Sequence, residues 1–337
     1  MNEPLAKRVL SGVQPTGDLH LGNYFGAISQ HIALQDEFPG EAYYFIADYH
    51  ALTTVRDADA LRSAVFEVAV TYLALGLDPD KALLFRQSDV PEVTELAWML
   101  ACGTGMGLLE RATSYKDKVA KGLKPNVGLF TYPILMAADI LAYQSSLVPV
   151  GKDQVQHVEM AQDMATHFEQ TFPSGEDGPV LVRPEYRLSS TPKVPGLDGD
   201  KMSKSYGNTI PIFTSGKKLK KLVARVVTTA AELGSPLPTD NDNVLGLLAL
   251  FCDAAELEAI KSYYRAGKRD GEPFGYGHAK QLLAAKIDAH FAEARERREA
   301  LLADPQQVED VLARSAVKAR ARAQATLQLC RRATGLR

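Results

Sequence analysis

The sequence predicts an α/β protein, with a parallel sheet covered by helices on both faces and a second, smaller domain made only of helices. Two patterns carry this prediction. In the first half of the chain, short apolar or aromatic runs alternate with longer segments of helical periodicity, as expected when helical crossovers join parallel strands. From Lys217 onward nearly every segment has helical periodicity instead, which predicts a separate helical domain.

Within the alternating half, the strand-like runs contain β-branched and aromatic residues, which favour extended structure. The predicted strands are Arg8–Ser11, Ala42–Ala47, Lys81–Phe85 and Leu147–Val150. The predicted helices are Asp18–Gln30, 57–75, 91–102, Thr131–Tyr143 and Lys152–Phe168. This order of elements predicts a Rossmann-like first domain over residues 1–215.

Residues 173–215 are rich in Pro, Gly and Ser and show weak periodicity, so they close the first domain without a predicted strand or helix. Residues 216–300 are predicted to form the smaller helical domain. The final segment, about 301–337, is an Ala-rich helix with a basic end. We expect it to pack back on the first domain or to bind a partner.

Composition excludes several classes of protein. The 38 Lys and Arg nearly balance the 41 Asp and Glu of the 337 residues, so binding to a polyanion needs local basic clusters. The three cysteines form no C-x-x-C pair, which excludes a zinc site made of thiolates. The N-terminus lacks the apolar core of a signal peptide, and the apolar stretch 128–150 is interrupted by two prolines and an aspartate. These features predict a cytoplasmic protein that does not bind a membrane.

The first segment with chemical potential is VLSGVQPTGDLHLGNYFGAI, at 9–28. A strand ends at Gly12, a Pro-Thr-Gly turn follows, and a helix begins near His20, Gly22 and Asn23. In open α/β sheets ligands bind beyond the carboxyl ends of strands, where a helix start offers N–H groups to phosphates. The segment contains neither a P-loop nor a GxGxxG motif. Taken alone, it is equally consistent with an ordinary capped strand–turn–helix.

The second segment is DGDKMSKSYGN, at 198–208. Lys201 and Lys204 stand three apart with the small hydroxyl residues Ser203 and Ser205 beside them. Two point charges in a loop bounded by glycines suit a polyphosphate. A pair of lysines is more often solvated surface, and this cluster alone would be interpreted so.

The third segment is GLFTYPILMAADILAY, at 128–143. Tyr132, Met136, Asp139 and Tyr143 share one face of the predicted helix. An ionised aspartate on an apolar and aromatic face is costly without a donor partner. An indole N–H is a pure donor and suits Asp139, a phenol hydroxyl suits it too, and a backbone N–H or an arginine would satisfy it in an ordinary core.

Together these segments resemble a known class of enzyme. His-Leu-Gly-Asn at 20–23 resembles the HIGH signature of class I aminoacyl-tRNA synthetases, and Lys201–Ser205 matches their KMSKS signature in full. Seven segments in order over residues 8–210 resemble the bacterial tryptophanyl-tRNA synthetase family. They are SGVQPTG, GNYFGAI, DYHALT, LERATSYKDK, TYPILMAADIL, VPVGKDQVQH and KMSKS.

The resemblance implies three sets of site residues. The set around ATP comprises Gln14, Pro15, Thr16, Gly22, Asn23, Gly151, Lys152, Asp153, Val194, Lys201, Met202, Ser203, Lys204 and Ser205. The set around tryptophan comprises His50, Tyr132, Met136 and Asp139, with Asp139 recognising the indole N–H. The catalytic set comprises His20, Asn23, Lys118, Lys201 and Lys204.

The chain departs from the common bacterial pattern at several positions. It has His20-Leu21 where the family usually has Thr-Ile, Lys152 where it has Glu, and Ser114-Tyr115 where it has Gln-Phe. The linker 194–200 before the KMSKS signature is also shorter than usual. These differences concern contacts to substrates rather than the class of reaction.

The resemblance implies two steps: ATP activates L-tryptophan to an adenylate, and the acyl group then passes to tRNA(Trp). It implies Mg²⁺ carried by ATP, no tightly bound cofactor, and a homodimer. Two basic clusters are candidates for contact with tRNA. They are Lys217–Lys221, and Arg314, Lys318, Arg320, Arg322, Arg331 and Arg332 of the final helix.

Two alternatives stay open. A tyrosyl-tRNA synthetase would have the same fold and reaction with another amino acid. A regulatory protein related to the synthetases would hold tryptophan or its adenylate without charging tRNA. The departures at Lys152 and Ser114 are compatible with the second, whereas the intact lysine pair argues against it.

Overall fold

The computed structural model describes residues 7–15, 17, 19–112, 122, 126–173, 178–188 and 193–337. Five strands of this part form a parallel sheet in the order β3-β2-β1-β4-β5. The strands are β1 (Val9–Val13), β2 (Ala42–Ile46), β3 (Ala82–Arg86), β4 (Leu147–Val150) and β5 (Glu185–Leu188). The predicted α/β class, a Rossmann-like sheet with helices plus a helical domain, is confirmed.

The inner strands fit their positions in the sheet. All five residues of β2 are buried, as expected for a central strand covered on both faces. On β1, a Cβ at Gly12 would lie 2.5 Å from the Phe45 ring, so any larger residue at this position would force that buried ring to move.

Strand β5 was not predicted, because it lies in the segment of weak periodicity, residues 173–215. It pairs with β4 from Leu147↔Glu185 to Val150↔Leu188 and forms an edge of the sheet. Three of its four residues are exposed. An exposed edge strand needs no alternation of apolar and polar residues, so its sequence carries no signal.

Several helices belong to the same unit as the sheet. They are α3 (Asp48–Ala51), α4 (Ala58–Ala74), α5 (Glu92–Gly103), α6 (Met106–Glu110), α7 (Val127–Ala142), α8 (Val155–Thr171) and α14 (Pro305–Thr334), with short 3₁₀ turns at Gln87–Asp89 and Lys152–Gln154. Helix α7 begins before the predicted Thr131 because the Asn126 side chain caps it, accepting from the Leu129 N–H at 2.8 Å. It also continues through Pro133.

The other unit is mostly helical. Its elements are α1 (Leu21–Asn23), a π-helix (Tyr24–Ile28), a 3₁₀ turn (Lys204–Tyr206), α9 (Gly216–Ala224), α10 (Asn243–Leu248), α11 (Ala254–Ala266), β6 (Lys268–Arg269), β7 (Glu272–Pro273), α12 (Tyr276–His290) and α13 (Ala292–Ala303). Helix α2 (Ser29–Glu37) continues the π-helix and crosses into the unit of the sheet.

The two compact units differ from the boundary placed at residue 215. The first comprises Met1–Gly17, His31–Ser189 and Leu301–Arg337, and the second comprises Asp18–Gln30 and Ser190–Ala300. The second unit includes the early segment because backbone bonds hold it there. Leu21 donates its N–H to the Ile210 carbonyl at 3.0 Å, and the Ile212 N–H bonds the Leu19 carbonyl at 3.1 Å.

The terminal helix α14 belongs to the first unit, where it packs against β3 and α5. Its apolar face, including Ala319 and Cys330, joins the core around Phe85. No described helix is long and apolar enough to cross a membrane.

Candidate functional site

Polar residues follow four neighbouring strands of the sheet, where each strand ends. Gln14 and Pro15 follow β1, 48–50 follow β2, Gln87 follows β3, and Gly151 to Asp153 follow β4. Because the carboxyl ends of parallel strands lie at one edge of a sheet, the structure brings these segments to the same edge. The sequence predicted this edge as the ligand site, apart from Gln87.

The Gly151–Asp153 segment has a close approach at its first residue. A Cβ at Gly151 would lie 2.8 Å from Oδ1 of Asp153. Gln154 donates from Nε2 to the other carboxylate oxygen of Asp153 at 3.0 Å. Gly151, Lys152 and Asp153 are all exposed, so their side chains are accessible to a ligand. Thr16 and Lys118, two further predicted site residues, lie outside the described residues.

Asp139 lies on α7 and is the most buried carboxylate of the site, at 1% exposure. His50 Nε2 lies 2.9 Å from its Oδ2. The Gln87 side chain donates from Nε2 to both carboxylate oxygens, at 2.9 and 2.8 Å. The alternative of an ordinary core partner, a backbone N–H or an arginine, is therefore not what the structure shows.

Two opposing effects act on the ionisation of Asp139. Burial raises the pKa of this carboxyl, and the nearby Asp48 carboxylate acts in the same direction. The hydrogen bonds from His50 and Gln87 lower the pKa and offset part of the rise. The pKa of Asp139 is raised on balance, so its ionised form depends on these two donors.

A cleft of about 190 Å³ opens beside this cluster. It is lined by Tyr49, His50, Leu52, Thr53, Asn126, Gly128, Thr131, Tyr132 and Leu135. The Tyr132 hydroxyl is 2.6 Å from His157 Nε2, and its ring meets the His50 ring edge-on with centroids 6.3 Å apart. Met136 is half-buried against the core and is not part of the lining, nor is Asp139.

In the other unit, the start of α1 lies next to the lysine loop. A Cβ at Gly22 would be 2.9 Å from the His20 ring nitrogen Nδ1 and 3.4 Å from Cβ of Met202. Asn23 accepts the backbone N–H of His20 on its Oδ1 at 3.1 Å. The two motifs that the sequence places about 180 residues apart are thus neighbours.

His20 is neutral near pH 7. Burial lowers its pKa to about 4, and the positive charge of Lys204 adds to this effect. Its side chain is therefore a neutral ring at the helix start rather than a cation, and its buried Nδ1 has no hydrogen-bond partner among the described residues. The influence of Lys204 on His20 also places the second lysine of the loop near the helix start.

The lysine loop, residues 194–208, is organised by Asn208, which is 3% exposed. Its Nδ2 donates to Asp198 Oδ1 at 2.7 Å and to the Lys201 carbonyl at 3.2 Å. Its Oδ1 accepts the Ser203 N–H at 2.8 Å. At the base of the loop the Met202 N–H bonds the Val194 carbonyl at 2.9 Å. Sequence reasoning did not identify Asn208.

The loop presents its charges outward. Lys201, Lys204 and Ser205 are exposed, whereas Met202 and Val194 are buried. The Ser203 and Ser205 hydroxyls lie 2.9 Å apart. A buried framework thus carries two exposed lysines, an arrangement suited to binding a polyphosphate.

The two basic clusters differ in accessibility. The four lysines within Lys217–Lys221 are exposed, with Leu219 between them buried. On α14, Arg320 pairs with Glu92 at 2.9 Å and Arg331 with Glu95 at 2.6 Å.

Both glutamates belong to α5, so these two ion pairs link the terminal helix to α5. Of the other predicted residues, Arg314, Lys318 and Arg332 are exposed on the final helix, and Arg322 is half-buried. Among the described residues, no group of three or more His, Cys, Asp or Glu side chains could hold a metal ion.

Comparisons with known proteins give one consistent result. The model of the class I tRNA synthetases (W and Y) matches residues 4–292. A tryptophan–tRNA ligase of Rhodopirellula baltica is 51% identical over 98% of this chain and 100% of its own, and one of Fusobacterium nucleatum is 49% identical over 93% of each. The crystal structure of tryptophanyl-tRNA synthetase from Campylobacter jejuni, complexed with ADP and tryptophan, matches with a TM-score of 0.89 at 46% identity. That match covers 98% of this chain and 100% of the other.

Proposed function

The chain belongs to the tryptophan–tRNA ligases of the class I tRNA synthetases, and from this premise we propose how its own residues perform the reaction. The carboxylate of L-tryptophan attacks the α-phosphorus of ATP, which yields tryptophanyl-adenylate and pyrophosphate. The terminal adenosine of tRNA(Trp) then takes the tryptophanyl group and releases AMP.

The buried Asp139 carries the assignment of the amino acid. It is an acceptor with two fixed protein donors, beside a cleft lined by the aromatic rings of Tyr132 and His50. An indole offers a flat apolar surface and one N–H donor, which match this combination. We assign Met136 to the same pocket, on the face of α7 that carries Asp139 and Tyr132.

The residues that we assign to ATP form two groups. Gln14, Pro15, Gly151, Lys152 and Asp153 follow β1 and β4, and Thr16 is expected with them. In the second unit we assign to ATP the residues Gly22 and Asn23 at the helix start together with several loop residues, of which Lys201 and Lys204 contact the phosphates. The loop residues are Val194, Lys201, Met202, Ser203, Lys204 and Ser205.

Phosphoryl transfer needs positioning and charge stabilisation more than covalent help. Lys201 and Lys204, with Lys118, stabilise the charge that develops on the leaving pyrophosphate. His20 and Asn23 contribute hydrogen bonds at the helix start, and His20 does so as a neutral ring because of its lowered pKa. Mg²⁺ arrives on the ATP phosphates, which are its preferred oxygen ligands, and no tightly bound cofactor takes part.

For the partners we propose tRNA(Trp) and a second copy of this chain, in the cytoplasm. The exposed lysines of α9 and the pair Arg314 and Lys318 on α14 support a contact with the tRNA backbone. The only tryptophan of the chain, Trp98 on α5, is 72% exposed. An exposed indole of this size is typical of an interface residue, and it supports the dimer.

Amino-acid-dependent exchange of pyrophosphate into ATP, followed by charging of purified tRNA(Trp), tests the function. Exchange with tryptophan and charging of this tRNA are expected. Strict dependence on tyrosine would favour the tyrosyl enzyme, and normal exchange without charging would favour a regulatory protein.

Asp139→Ala tests the pocket in the same assay. The variant loses a charge-assisted hydrogen bond to the ligand, so kcat/KM for tryptophan is expected to fall by about 100-fold while ATP still binds. Asp163→Ala, which removes an exposed carboxylate of α8, serves as the control. Unchanged selectivity in Asp139→Ala would remove this residue from the pocket.

A further inference from the structure

Gln87 is fully buried, at 0% exposure, directly after β3. Its Oε1 lies 3.1 Å from the Tyr49 backbone nitrogen and 3.4 Å from that of His50. Backbone N–H groups only donate, so the atom facing them must be the amide oxygen. The Gln87 NH₂ group is therefore directed at Asp139, and its orientation does not depend on a choice between the two ends of the amide.

The bonds to Asp139 are unequal between its two oxygens. Oδ2 receives donors from both His50 and Gln87, whereas Oδ1 receives one, from Gln87. A carboxylate oxygen accepts about two hydrogen bonds. Among the described residues, Oδ1 is thus the oxygen with acceptor capacity left for a ligand.

We propose that Gln87 is a positioning residue for amino-acid selection: it fixes Asp139 as an acceptor whose Oδ1 accepts the donor of the substrate side chain. This inference rests on the proposed function and adds the reason for its specificity. A substrate with one N–H donor completes the carboxylate. An isostere without that donor leaves a buried acceptor unpaired, which a polar site rejects strongly.

The proposal has a pH signature, because Gln87 acts on the ionisation of Asp139. The groups near Asp139 are Asp48 and His50 on α3 and Tyr143 after the end of α7. Asp48 raises the pKa of Asp139, and His50 and Gln87 lower it. Loss of the Gln87 donor removes a lowering effect, so Asp139 gains its proton at a higher pH. The protonated carboxyl accepts the indole N–H more weakly, so KM for tryptophan rises as the pH falls, and this rise begins at a higher pH without Gln87.

The experiment compares Gln87→Met with Gln35→Met in the exchange assay. Gln35 is also a buried glutamine of the first unit, with one bond to the Gly76 carbonyl and one from the Asp78 N–H, and it has no described bond to Asp139. Both variants lose buried hydrogen bonds and keep a side chain of similar length. The two substrates are L-tryptophan and β-(3-benzothienyl)-L-alanine, in which sulfur replaces the indole N–H.

In the wild type and in Gln35→Met we expect tryptophan to be preferred by about 100-fold or more in kcat/KM. In Gln87→Met we expect that preference to fall by about 10-fold or more, and the rise of KM for tryptophan to move to higher pH. Unchanged preference and an unchanged pH profile in Gln87→Met would overturn the inference, even if both variants are equally destabilised. If the wild type itself shows no exchange with tryptophan, the proposed function fails, and the inference fails with it.

A second variant tests the same role if the Gln87→Met protein does not fold. Gln87→Glu keeps the shape and can donate to Asp139 only when it is protonated. Its KM for tryptophan is therefore expected to depend on pH more steeply than that of the wild type, with the best binding near the pH at which the two carboxyls share one proton. A pH profile identical to that of the wild type would contradict the role of Gln87.

Discussion

The Asp139 cluster and the lysine loop are built in opposite ways. Asp139, His50 and Gln87 are all buried, come from three separate elements and bond to each other through their side chains. In the lysine loop the charged groups of Lys201 and Lys204 are exposed, and the order comes from backbone groups that bond to Asn208.

The chemistry of the two proposed ligands explains the difference. A buried carboxylate is costly unless donors meet it, so the groups that recognise an amino acid must be in place before the ligand arrives. A lysine loses much of its hydration only when it meets phosphate, so exposed lysines on an ordered loop avoid that cost in the empty protein. The first region is therefore expected to control selectivity, and the second the rate of the chemical step.

The largest effect should follow from loss of the loop charges. Lys201→Ala and Lys204→Ala are each expected to lower kcat of the exchange reaction by about 100- to 1000-fold, because each removes a cation from the developing pyrophosphate. The affinity for tryptophan, measured by calorimetry, is expected to stay the same. Lys193→Ala removes an exposed lysine just outside the loop and is the control. A parallel loss of tryptophan affinity would contradict the separation between a cluster that controls selectivity and a loop that controls the rate of the chemical step.

A smaller effect should follow from loss of the loop framework. Asn208→Ala removes the bonds to Asp198, Lys201 and Ser203 while both lysines stay. At about 1 kcal/mol for each hydrogen bond, kcat/KM for ATP is expected to fall by about 10-fold or more, with KM for tryptophan unchanged. Gly196→Ala should act in the same direction, since its Cβ would lie 2.3 Å from Nδ2 of Asn208.

The control for that prediction exchanges two side chains. Asn208→Asp places a carboxylate against Asp198, and adding Asp198→Asn restores one amide-to-carboxylate bond between the two positions. The double variant is expected to recover part of the kcat/KM for ATP that is lost in Asn208→Asp. No recovery would show that the bond from Asn208 to Asp198 does not hold the loop.

Much of this arrangement could be predicted from local sequence. Strand β4 has the predicted bounds, and the predicted β2 and β3 differ by one residue at their ends. The class of the fold followed from alternating patterns, and the two signature segments, which the resemblance assigns to one catalytic set, lie near each other. These features are visible because each is encoded within a short window of residues.

The parts that could not be predicted depend on distant contacts. Gln87 bonds Asp139 across 52 residues, and nothing in its neighbourhood separates it from a surface glutamine. Arg320 and Arg331 were predicted as a surface for tRNA, but Glu92 and Glu95 pair with them from more than 220 residues away. Asn208 follows the lysine motif by a few residues, yet its role depends on how the loop folds back on itself.

The smallest predicted effect concerns the pKa values of two buried histidines, one in each unit. Burial lowers the pKa of His31 to about 4, and the pKa of His20 is also lowered to about 4, by burial and by the charge of Lys204. An unfolded histidine gains its proton near pH 6.5, so the unfolded chain binds protons that the folded chain refuses between about pH 6.5 and 4. The free energy of unfolding should therefore decline as the pH falls through this window.

Histidine ring NMR signals, assigned with His20→Gln and His31→Gln, can follow both rings during titration. Lys204→Ala is expected to raise the pKa of His20 slightly and to leave that of His31 unchanged, because the charge of Lys204 is the smaller of the two causes at His20. Equal shifts at both rings would point to a general change in the fold. No shift at His20 would mean that the charge of Lys204 does not act on the His20 ring. That result would contradict the position of the lysine loop beside the helix start.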